Sequence, residues 1–202
     1  MTSFEKYIDT IRTQKLKENI KPLREQIHSG WAQKKIENWA ARYGYEKDEV
    51  ERKILIDDMF AASFAKDPMK QNYTEKIAEQ LLQVKHLSNT GMSFTKDGEL
   101  YPHPATGNSK TIDFVKDGVY ITQKYTRGQG GSQDNQYRDV IQFLTYGSKN
   151  YKVAAYVDGS YYTPAKRREL EKMFEHNPNV QICSLGELYE NSGLTTDKTL
   201  HN

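Results

Sequence analysis

The chain has 202 residues and a mass of 23.4 kDa, and its 29 Lys and Arg against 27 Asp and Glu leave a net charge of only +2. That balance excludes a uniformly basic nucleic-acid coat, while leaving room for a local basic face. Fourteen Tyr, seven Phe and two Trp exclude a disordered chain despite a mean hydropathy of −0.86. No apolar run approaches the ~18–20 residues of a membrane helix, and one cysteine, Cys183, excludes a disulfide framework and a cysteine-based zinc site.

The opening MTSFEKYIDTIRTQK is charged from its first turns and does not read as a signal peptide. A reducing cytoplasm is the expected compartment. Residues 3–20 carry Phe4, Ile8, Ile11, Leu16 and Ile20 mostly at three- and four-residue steps, which predicts a helix. A second helix is expected over 22–43, restarted at Pro22 and closed by Gly44 as C-cap. A third is expected over about 47–65. Asp67-Pro68 is a breaker, so a helical region 1–68 is set apart from a second region, 69–202. TEKIAEQLLQVKHL, 74–87, reads as an amphipathic helix with Thr74 as a possible N-cap. Strands are expected at about 92–95, 110–116 and 118–126, the last two joined by the tight-turn signal Asp117-Gly118. RGQGGSQDN, 127–135, reads as irregular. It is followed by a helix 136–146, a strand 151–157, a helix 164–176 and a strand 179–183. The order from residue 74 is an α/β pattern.

The hairpin KTIDFVKDGVYITQK carries the chemistry. Thr122 and Lys124 are two apart on one strand and share a face. A turn at Asp117-Gly118 sets Asp113 roughly opposite Thr122, so an acid and a lysine converge. This suits phosphodiester hydrolysis: the carboxylate holds Mg²⁺, which polarises phosphate and lowers the pKa of a bound water. The lysine orients that water and stabilises the transition-state charge. The plainer alternative is a surface hairpin with solvated charges. The literal Glu51-Arg52-Lys53 lies in a helical pattern, where i and i+2 diverge, and reads as a solvated face.

The element order, with Asp113-x8-Thr122-x-Lys124 on its middle strands, resembles the PD-(D/E)xK nuclease core over about residues 74–183. IDFVKDGVYITQK is similar to the hairpin of the BglII-like group of type II restriction endonucleases. GGSQDNQYRDVIQFL resembles the loop and helix after the catalytic strand in many restriction enzymes. The resemblance implies a Mg²⁺-dependent, site-specific double-stranded DNA endonuclease acting as a homodimer, with the N-terminal helices serving dimerisation, DNA contact or both. Ile112 stands where the family's proline falls, and Thr122 where a metal-binding Asp or Glu is expected. Three explanations compete: a carboxylate from the preceding helix, Glu79 ahead of Glu75; a site completed by a main-chain carbonyl, water and phosphate; or a catalytically impaired chain. The site expected is therefore Asp113, Thr122, Lys124 and Glu79, with Asp113 and Glu79 on the metal.

Two further segments suit DNA contact. In 127–136, Gln129, Gln133, Asn135 and Gln136 are side chains that pair with adenine, and Arg127 suits a phosphate or guanine; the alternative is a linker with Ser132 or Asp134 capping the next helix. In DGSYYTPAKRREL, Tyr161, Lys166 and Arg167 suit the sugar-phosphate backbone, against ordinary packing and a solvated basic helix. The histidines at 28, 86, 103, 176 and 201 show no metal-ligand spacing. Other classes remain open: a repair, recombination or RNA-processing nuclease on the same fold, or a non-catalytic DNA-binding protein, which Thr122 favours.

Overall fold

A computed structural model of the chain describes residues 2–65, 73–87, 91–102, 109–127 and 131–193, the side chains of Gly131 and Ser132 excepted. The chain divides into two compact units, Lys6–Tyr73 and a second formed by Met1–Glu5 with Thr74–Asn202. The expected breaker at Asp67-Pro68 lies outside the described residues.

The helical unit contains most of α1 (Ser3–Glu25), then α2 (Gly30–Tyr43), α3 (Lys47–Ile56) and α4 (Asp58–Ala62). Its core gathers Ile20, Leu23, Ile27, Ala32, Ile36, Val50, Ile54 and Phe64. The helix is not interrupted at Pro22. Pro22 lies inside α1, three residues from its end, and Ile20 and Leu23 are buried on either side of it. Pro22 removes one N–H from the ladder and crowds the carbonyl four residues back, and the burial of Ile20 and Leu23 holds the turn against that cost. The restart falls at Ser29, which caps α2, and Gly44 closes it as expected, its N–H bonding Ala40 O. The expected 47–65 helix is two, because the Asp57 carboxylate accepts the Phe60 N–H and starts a new helix.

The second unit is mixed α/β. After α5 (Tyr73–Leu82) come β1 (Ser93–Phe94), β2 (Leu100–Tyr101), β3 (Lys110–Thr111), β4 (Phe114–Lys116), β5 (Val119–Tyr125), α6 (Gly131–Gly147), β6 (Lys152–Asp158), α7 (Pro164–Met173), β7 (Val180–Cys183) and α8 (Leu185–Ser192). A four-stranded sheet runs β4-β5-β6-β7. The β4–β5 pair is antiparallel, and the β5–β6 and β6–β7 pairs are parallel. A small antiparallel sheet runs β2-β1-β3. The core joins Phe94, Val140, Phe143 and Leu144 to Val153, Ala155 and Val157 of β6. Burial on this face and the next explains why β6 reads as a continuous apolar run.

The hairpin turn forms where the sequence predicts it. Asp117 and Gly118 have φ of 50° and 76°, and Lys116 pairs with Val119. Two successive positive φ values make a type I′ turn, which matches the strand twist. Other boundaries differ from expectation. The 110–116 strand is split, with Ile112 and Asp113 between β3 and β4, because its two halves pair in different sheets. The 74–87 helix stops at Leu82, where Gln83 takes a φ of 57°. Thr74 lies in its first turn and donates to Glu75. Helix α6 starts at Gly131, so the second half of the expected irregular stretch is helical. In its first turn Gln133 donates to Arg127 O and Asp134 accepts the Tyr161 hydroxyl, so these polar side chains tie the helix start to its neighbours. Helix α8 was not anticipated. Its signal is Ser184 with Glu187 three residues on, and Ser184 Oγ accepts the Glu187 N–H.

Candidate functional site

The pairing Phe114↔Ile121 puts Asp113 opposite Thr122. Asp113 is tied down on every side. Its N–H donates to Ile121 O at 2.9 Å, and its C=O accepts the Leu87 N–H at 2.8 Å. One carboxylate oxygen, Oδ2, accepts Thr122 Oγ1 at 2.9 Å and the Gln123 N–H at 2.7 Å. The other, Oδ1, lies 3.9 Å from His86 Nε2. Burial alone would push the Asp113 carboxyl up. His86, the Lys124 charge, the Gln123 N–H and the Thr122 hydroxyl together hold it below its ordinary value. His86 is raised above its ordinary value, chiefly by the Asp113 carboxylate, with burial pulling the other way.

Thr122 and Lys124 alternate with Gln123 on β5 and share a face, as the strand period requires. With Asp113, Lys110, Asp139 and Phe143 they line a cavity of about 200 Å³. Lys110 Nζ is 2.6 Å from Asp139 Oδ1. A different, larger cavity of about 640 Å³ lies at the C-terminal end of β6, between Arg167, Glu187 and the start of the chain. Its charges are mixed, and it contains neither Asp113 nor Lys124.

Glu79 is not in the cavity wall. Its Oε1 accepts the His86 N–H at 2.7 Å, so it fixes the main chain that presents the imidazole. Because α5 ends early, Lys116 Nζ reaches Leu82 O at 2.8 Å, and residues 83–87 are drawn along the hairpin. That path brings His86 to Asp113, edge-on to Phe114 at 5.1 Å. Sequence reasoning missed His86, because no local spacing joins it to a residue twenty-seven positions away.

Mg²⁺ commonly takes one or two carboxylates, with waters and substrate phosphate for the rest. Asp113 offers Oδ1, which faces His86 at 3.9 Å and accepts neither the Thr122 nor the Gln123 hydrogen bond, and the cavity leaves room for water and phosphate. The donors fit a hard cation that keeps most of its water. Among the described residues, no three His, Cys, Asp or Glu gather as a closed zinc site would need.

The residues expected to meet DNA are mostly engaged with the protein. Arg127 Nε donates to Tyr125 OH at 3.0 Å, and its guanidinium lies over that ring. Gln133 donates to Arg127 O, and Gln136 accepts Thr126 Oγ1 at 2.7 Å. Asn135 is exposed, and Gln129 lies outside the described residues. Tyr161 is buried and donates to Asp134 at 2.6 Å. Lys166 sits 4.4 Å above the Tyr137 ring, and Arg167 pairs with Glu187 at 2.9 Å. Glu51 and Lys53 lie on α3, where Lys53 pairs with Glu49. No helix among the described residues is long and apolar enough to cross a membrane.

No protein-family model, curated protein or solved structure matches the chain.

Proposed function

We propose that the protein is a Mg²⁺-dependent endonuclease that hydrolyses phosphodiester bonds in double-stranded DNA at a specific site, on a PD-(D/E)xK core, in the manner of a type II restriction enzyme. One observation carries this reading: a largely buried carboxylate, held below its ordinary pKa, and a lysine converge in one cavity, Asp113 just before β4 and Lys124 on β5. The antiparallel β4–β5 pair followed by α6 and the parallel β6 supports the core. Asp113 would hold the metal, with Thr122 and Gln123 fixing the carboxylate from behind. When bound, Mg²⁺ supplies a polarised phosphate and a more acidic water. Lys124 orients the attacking water and stabilises charge building on the phosphate oxygens. Among the described residues of 127–136, Asn135, near the start of α6, is the most exposed base-reading side chain.

The test is digestion of plasmid DNA with Mg²⁺, beside the Asp113→Asn variant. Discrete fragments from the wild type and none from the variant are expected. Discrete fragments from both would remove Asp113 from the chemistry. A second reading, a non-catalytic DNA-binding protein, draws on Thr122, whose hydroxyl bonds Asp113 where a second acid is expected. Tight DNA binding without cleavage by any divalent metal would favour it.

A further inference from the structure

We infer that Asp139 is the second acidic ligand of this site and takes the part that Thr122 cannot play; the inference rests on the nuclease reading above. Thr122 and Lys124 share one face of β5, because side chains alternate along a strand, and Thr126, the residue after the strand, continues that row. Gln136, Asp139 and Phe143 follow each other at three- and four-residue steps and share one stripe of α6. The two rows meet. Gln136 accepts the Thr126 hydroxyl at 2.7 Å, and Phe143 and Asp139 line the same cavity as Thr122 and Lys124. Asp139 and Asp113 are the two carboxylates in that wall.

The present partner of Asp139 is Lys110, also in the wall, at 2.6 Å. The Asp139 side chain is 52% exposed, so this is a solvent-screened pair and weakly held. A divalent cation competes well for such a carboxylate, since it brings twice the charge of the ammonium. Glu79 is placed differently: its carboxylate accepts the His86 N–H and is absent from the cavity wall. One carboxylate beside a lysine would hold Mg²⁺ poorly, and a second removes that difficulty.

The test is titration of the full chain with Mn²⁺ alone, free ion being counted by electron paramagnetic resonance. Asp139→Asn should weaken Mn²⁺ binding at least tenfold, as should Asp113→Asn, while Glu79→Gln stays within about threefold. Lys110→Met should strengthen binding in the wild type and leave the Asp139→Asn variant unchanged. Wild-type affinity in Asp139→Asn overturns the assignment, and so does equal strengthening by Lys110→Met in both backgrounds, which would mean that Lys110 acts through its charge alone. If the wild type binds no Mn²⁺, or Asp113→Asn binds it normally, the nuclease site itself falls and the assignment goes with it.

Discussion

Asp113 and His86 face each other across 3.9 Å, and each shifts the other toward its charged form. The signs separate cleanly. The Asp113 carboxyl is lowered, so its contribution to stability is present above its ordinary value near 3.8 and fades as pH falls through the lowered one. The His86 imidazole is raised, so its contribution is complete below its ordinary 6.5 and is lost as pH rises through the raised value. Unfolding midpoints in urea should therefore decline as pH rises above about 6.5, and His86→Gln should flatten that decline. An identical slope in the variant would mean that the pair does not couple to folding. In the proposed mechanism Lys124 serves the chemistry. Lys124→Ala should slow cleavage by roughly two to four orders of magnitude and lower the urea midpoint only modestly, through the charge it places near Asp113. A rate within a few-fold of wild type would make Lys124 a bystander.

At the scale of elements, the hairpin and α8 are held by different means. The hairpin depends on its two-residue turn, which sets the register that puts Asp113 opposite Thr122. Helix α8 depends on a side chain from another element. Asp158, at the end of β6, accepts Ser184 Oγ at 2.5 Å and the N–H groups of Leu185 at 2.8 Å and Gly186 at 3.2 Å. These N–H groups open α8, where the helix leaves them without internal partners. Removing a buried acceptor that serves three donors is costly. Asp158→Ala should destabilise the protein by about 2–4 kcal/mol, read as a lower urea midpoint. Asp158→Asn, which keeps one acceptor oxygen, should lose less. Equal losses in the two variants would show that shape, and not the hydrogen bonds, matters there.

For the whole molecule, the proposed function makes a demand on assembly. A palindromic DNA site is read by a two-fold dimer, so that each half-site meets the same surface. Light scattering should give a mass twice 23.4 kDa, at least in the presence of DNA. In the helical unit, Ile56 and Met59 are 76% and 83% exposed, a pair of large apolar side chains that a second chain would cover. Ile56→Lys with Met59→Lys should then favour the monomer. A chain that stays monomeric on DNA and still cuts both strands at one site would remove the dimer from the proposal.

What the sequence determined by itself is local. Gly44 and above all Asp117-Gly118 act over a few residues, and each forms a feature where it was expected. The alignment of Asp113 with Thr122 and Lys124 follows from one tight turn and the strand period, so it too was legible. Boundaries that depend on distant partners were not. Helix α5 stops at Leu82 because Gln83 turns and the chain that follows is bound by the hairpin, and 110–116 divides because its halves join different sheets. The same holds for the site. His86 reaches Asp113 along a path set by Lys116 and Glu79, and Asp139 reaches the cavity because α6 lies against β5. Spacing along the chain carries no trace of either approach. Only packing decides which faces of two separate elements meet, and it is there that the acids, the imidazole and the lysines are brought together.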